Sequence, residues 1–68
     1  DNVKDFRKKL KNNILETLKR RPCTGEDLAE MLGENITDIN KLIEFLINKN
    51  KIKRKKGKRG NYYFVENQ

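Results

Sequence analysis

An α+β fold, with three helices followed by a two-stranded β ribbon, is what three features of this 68-residue chain predict. Apolar residues recur every three or four positions over three successive stretches, as they do on amphipathic helices. Cap residues, a glycine and a proline stand where those stretches begin and end. The final segment then changes character to a run of bases, a glycine-bounded turn and an aromatic, β-branched stretch, the pattern of a hairpin. The expected elements are helices over 3–20, 25–32 and 36–49 and strands over 51–56 and 61–66, all in one domain spanning 1–68.

The first helix carries Val3, Phe6, Leu10, Ile14 and Leu18 as its apolar stripe, widened by Leu15, with Lys4, Arg7, Lys8 and Lys11 on the other face. Lys19, Arg20 and Arg21 favour the negative end of that helix, and Pro22 prevents its continuation. Cys23 is expected as a small buried residue or a short strand position. Thr24 with Asp27 three residues on has the spacing of a capping box and starts a second helix at Gly25. Leu28, Ala29 and Leu32 form its narrow stripe, with Met31 at the margin, and Gly33 is placed to end it in the left-handed conformation.

Asn35 caps the third helix, with Asp38 in its first turn. Ile39, Leu42, Ile43 and Leu46 make its core stripe, and a rotation of about 100° per residue sets Thr37, Asn40, Lys41, Glu44 and Asn48 on the opposite side. Ile36, Phe45 and Ile47 widen the apolar arc. In the ribbon, Gly57 and Gly60 are expected to supply the positive φ angles of a tight turn, which presents Lys58 and Arg59 at its tip. Ile52 and one face of Tyr62, Tyr63, Phe64 and Val65 would pack it onto the helices.

Charge is the other organising feature. Lys51, Lys53, Arg54, Lys55, Lys56, Lys58 and Arg59 place seven bases in nine residues with no acid among them, while the rest of the chain holds ten bases and ten acids. The net charge of +7 therefore belongs to one segment. A localised positive field on a structured ribbon points to a polyanionic partner. Between Thr24 and Glu44 the balance reverses, with Glu26, Asp27, Glu30, Glu34, Asp38 and Glu44 against the single base Lys41.

Composition narrows the remaining classes. One cysteine and no histidine leave the usual metal sites without ligands and allow no internal disulfide. The 23 apolar residues suffice for three stripes and a ribbon, with no room for a buried substrate cavity, so neither catalysis, a cofactor nor a small-molecule substrate is expected. No apolar run approaches the ~20 residues of a membrane helix, and no signal-peptide pattern opens the chain. An intracellular setting, in cytoplasm, nucleoid or nucleus, is the expectation. Asp1 at the start reads as the beginning of a processed chain or of a segment from a longer one, such as the terminal domain of a larger enzyme.

Three helices with a three-residue turn at Gly33–Asn35, then a hairpin, is the element order of a helix-turn-helix carrying a wing. Thr24-Gly25-Glu26-Asp27-Leu28-Ala29-Glu30-Met31-Leu32-Gly33 resembles the first helix of the helix-turn-helix in the winged helix-turn-helix family. Asn35 stands at that family's cap, Ile39, Leu42, Ile43 and Leu46 resemble its core pattern, and Asn50-Lys51-Ile52 resembles its exit into the wing. The resemblance implies a duplex-DNA-binding module, with roles in transcriptional regulation or as part of a larger protein. It implies that Thr37, Asn40, Lys41, Glu44 and Asn48 approach base edges. It also implies that Lys53, Arg54, Lys55, Lys56, Lys58 and Arg59 meet phosphates. Ile39-Asn40-Lys41-Leu42-Ile43 is further similar to the recognition helix of Z-DNA-binding winged-helix domains, although Glu44 stands where those domains have tyrosine.

Two other partner classes stay open. The acidic helices, with Ile36, Phe45 and Ile47, would suit a protein-interaction module. A basic ribbon with tyrosines would suit RNA. The fold adds no dimerising helix beyond the first, so a monomer in isolation is expected.

Overall fold

Helix ends in this protein follow its local hydrogen-bonding groups. The computed structural model describes the backbone of residues 2–66 and the side chains of residues 5–66. In it, α1 runs Asn2–Arg20 and stops before Pro22. Val3 and Lys4, expected on opposite faces of this helix, lie outside the described side chains.

A two-residue strand, β1 (Cys23–Thr24), passes directly into α2 (Gly25–Leu32). Thr24 serves both elements. Its backbone pairs with Tyr62, and its hydroxyl accepts the Asp27 N–H at 3.0 Å while its own N–H donates to Asp27 Oδ2 at 3.4 Å. Gly33, with φ 66°, closes α2: its N–H donates to the Glu30 carbonyl, and the Glu34 N–H donates to the Ala29 carbonyl at 2.9 Å.

Asn35 Oδ1 accepts the Thr37 N–H at 2.7 Å and starts α3 (Ile36–Asn48). The same closing motif then recurs with asparagine in place of glycine. Asn50 has φ 61°, its N–H donates to Ile47 and the Lys51 N–H donates to Leu46, both at 2.9 Å. Because that bond commits the Lys51 backbone to the helix end, the next strand, β2 (Lys53–Gly57), begins two residues later than the expected position 51. The partner strand β3 (Gly60–Phe64) correspondingly ends at the residue opposite Lys53, short of the expected position 66.

The ribbon is part of a larger sheet than the pattern predicts. All pairings are antiparallel in the order β1-β3-β2, with Cys23 opposite Tyr63 on one side of β3 and Arg54 opposite Tyr63 on the other. β1 fastens the hairpin root to the start of α2, so the hairpin extends from the helical body.

Among the described residues ten side chains form the core: Leu10, Ile14 and Leu18 of α1, Cys23, Leu28 of α2, Ile39, Ile43 and Leu46 of α3, then Ile52 and Tyr63. Leu15, Ala29, Leu32, Leu42, Ile47 and Val65 pack half-buried around them. Phe6 departs from its expected place: it lies one turn before the first core contact at Leu10 and is 46% exposed. Gly57 departs as well. Only Gly60, at φ 116°, takes a positive angle in the hairpin turn. A Cβ on Gly57 would instead lie 2.4 Å from the Tyr62 ring, so Gly57 is small because that ring lies across it.

Candidate nucleic-acid interface

Register decides where each base of the hairpin points. Residues paired across antiparallel strands share a face, and alternate residues change face. Arg54 pairs with buried Tyr63 and Lys56 with Asn61, which puts these two bases on the helix-facing side of the sheet. Lys53 and Lys55, opposite Phe64 and Tyr62, occupy the other side. The run of bases is therefore divided by the pleat, with Lys58 and Arg59 at the turn between.

α3 supplies the neighbouring wall. Thr37, Asn40, Lys41, Glu44 and Asn48 are all exposed on it. Glu44 and Arg54 tie the two elements together through a 3.7 Å ion pair between half-exposed side chains. Nearer the start of α3, Asn40 and Ile36 join Thr24, Gly25 and Glu26 of the α2 entrance, and Arg59 and Asn61 of the hairpin, around a shallow groove of about 250 Å³. Asn40 leans across this groove toward α2, since a Cβ on Gly25 would lie 3.1 Å from its Oδ1.

The structure thus brings together Asn40, Glu44, Arg54, Lys56 and Arg59 on one side. It leaves Lys53 and Lys55 on the far side, where Lys53 pairs with Glu66 at 3.7 Å. Thr37, Lys41 and Asn48 stay on the outward ridge of α3. Asn61 is a groove residue that the sequence reading did not single out. Its signal was present: a two-residue turn between Gly57 and Gly60 already dictates the pairing of Lys56 with Asn61.

Arg54 and Lys53 each face one carboxylate, but among the described residues Lys55, Lys56, Lys58 and Arg59 make no ion pair. Sheet order puts β2 on an edge, and lysines on an edge strand discourage pairing with other chains. That explanation does not reach Lys58 and Arg59, which lie in the turn. Of the two tyrosines, Tyr63 is buried and Tyr62 half-exposed, so Tyr62 is the phenol able to meet a ligand.

Ile36, Phe45 and Ile47 do not form one surface. At about 100° per residue Phe45 falls nearly opposite the other two. Ile36 borders the hairpin groove, Ile47 packs against the core, and Phe45 faces α1. Among the described residues there is no cluster of metal-ligating side chains, and no helix is long and apolar enough to cross a membrane. No protein family, curated protein or solved structure matches this chain.

Proposed function

We propose that this chain is a duplex-DNA-binding module of the winged helix-turn-helix type, in which the hairpin supplies most of the affinity and α3 the orientation. The observation that carries this reading is the concentration of bases without an ion pair among the described residues, Lys55, Lys56, Lys58 and Arg59, on a hairpin that stands beside an exposed polar helix face. Charges held on a β ribbon keep their spacing, so phosphates bind without the cost of ordering a tail. Asn40 has the donor and acceptor to read adenine from the groove, and Lys41 and Asn48 stand on the outward ridge to one side of it.

Glu44 qualifies the mode of binding. Its carboxylate lies on the face turned to the duplex and already engages Arg54. It favours contact through phosphates over dense reading of bases, with cytosine N4 a base group from which it could accept. A duplex ligand implies an intracellular site of action and suits a monomeric module within transcriptional regulation or a larger DNA-handling protein.

The test is the salt dependence of binding to a labelled mixed-sequence duplex. Neutralising about four to six phosphates gives a log-log slope of roughly −4 to −5. Affinity that does not change between low and physiological salt would refute the reading. Tighter binding to structured RNA than to duplex DNA in direct competition would transfer the hairpin to an RNA ligand.

A further inference from the structure

A second surface of this molecule lies away from the hairpin. Between α1 and α3 runs an open groove of about 400 Å³ whose apolar wall is made by Phe6, Leu10, Leu42 and Phe45. Leu10 is buried beneath it, whereas Phe6 and Phe45 remain 46% and 42% exposed. These are two of the three phenylalanines of the chain, and each leaves ring surface in water where the core does not use it.

The rim of this groove is basic. Arg7, Lys11 and Lys41 line it against the single acid Asp38. The Lys11 ammonium lies 4.6 Å from the centre of the Phe45 ring and that of Lys49 lies 5.6 Å from it. None of these four bases takes part in an ion pair among the described residues.

We infer that the α1–α3 groove docks an acidic amphipathic helix of a protein partner, with leucine or phenylalanine anchors between Phe6 and Phe45 and flanking carboxylates on Arg7, Lys11 and Lys41. A groove between two helices, with a partly exposed aromatic ring from each, accepts a third helix, whose anchors recur at i, i+3, i+4 and i+7. Charge decides between the possible occupants. A two-fold contact between copies of this chain would bring Arg7, Lys11 and Lys41 toward their own counterparts. A nucleic-acid strand would bring phosphate to Asp38 and carries no aliphatic side chain to fill the wall of Leu10 and Leu42. An acidic helix lays leucine or phenylalanine on that wall, and its carboxylates meet the bases at the rim, including the ammonium groups at the Phe45 ring.

The site is separate from the proposed duplex face except at Lys41, which stands on the border of both. It therefore stands or falls independently of the DNA reading.

The probe is a synthetic helix-forming peptide with leucine and phenylalanine on one face and glutamate on both flanks, titrated into the isotope-labelled chain and followed by amide chemical shifts. The expected result is saturable movement centred on Phe6, Leu10, Leu42 and Phe45. The double change Phe6→Ser with Phe45→Ser should weaken binding by at least about tenfold, since exposed aromatic anchors dominate such contacts. Arg7→Glu with Lys11→Glu, which leaves the apolar wall intact, should weaken it comparably. The charge variant should keep its melting midpoint, and the serine variant, which strips two partly exposed rings, is compared at equal folded fraction. Both should keep their duplex affinity within about twofold at physiological salt, where distant charges are screened.

Four results would overturn the inference. They are equal binding of a peptide with lysine in place of glutamate, shifts confined to the hairpin, capture of a single-stranded oligonucleotide by the same groove in preference to the peptide, and a dimer of the free chain that Phe45→Ser dissociates.

Discussion

The hairpin formed by β2 and β3 and the helix pair α2 and α3 lie side by side with opposite charge, and the two sets of charges differ in what they do for the fold. Most acids of the helix pair stand at helix starts. Glu26 and Asp27 occupy the first turn of α2 and Asp38 that of α3, where they complement the positive helix end, and Asp27 also closes the capping box. The hairpin bases have no comparable task. Every residue of β2 is exposed, and among the described residues only Lys53 and Arg54 of the hairpin meet an acid. Charge that the fold uses and charge that the fold leaves over are thus segregated along the chain, and the leftover set is the one to test for binding.

Removing core from the helix side should have the largest effect. Ile43 of α3 is 1% exposed within the core. Ile43→Ala should cost about 2–5 kcal/mol of unfolding free energy, a large part of what so small a domain has, as measured by denaturant melts. An unchanged midpoint would mean that the core lies elsewhere.

The hairpin should behave in the opposite way. Alanine at Lys55, Lys56, Lys58 and Arg59 together should lower duplex affinity by roughly a hundredfold at low salt and flatten the salt slope by up to about four, while the melting midpoint stays in place. Loss of stability in this variant would show that the bases do hold the fold and would erase the contrast.

Thr24 lies at the junction of the two regions, paired with β3 and capping α2. Thr24→Ala should cost about 1 kcal/mol in thermal melts, with duplex affinity preserved when the folded fraction is held constant. Affinity that falls beyond the folded fraction would show that the cap also orients the hairpin.

The smallest effect is expected at Glu44, the one acid of the helix pair that reaches across to the hairpin. Its pair with Arg54 is half-exposed and contributes little to stability. Glu44→Gln removes a negative charge from the proposed duplex side and releases Arg54, so affinity should rise by about twofold to fivefold, most clearly at low salt. A fall in affinity restricted to particular sequences would instead make Glu44 a base reader.

The helices, their caps and the segregation of charge were all legible in the chain as written. Thr24 with Asp27, Gly33 and Asn35 act within four or five residues of themselves, and an apolar stripe reports a burial face through its own period. Asn50 was less legible, because asparagine enters the left-handed region without a glycine to announce it. The candidate site was legible as a set of residues, but only in part as a surface. Pleat and turn together imply that Arg54 and Lys56 oppose Lys53 and Lys55, whereas nothing local says which side meets α3.

Only the tertiary structure decided that β1 joins the sheet, that Glu44 reaches Arg54, and that Arg59 and Asn61 close a groove with Asn40. It also decided that Phe6 and Phe45 line one open groove and that Gly57 yields to the Tyr62 ring. Each of these joins residues far apart in the chain or sets the rotation of one element against another. Periodicity and capping act along the backbone over a few residues, while such contacts depend on how whole elements settle on a shared core.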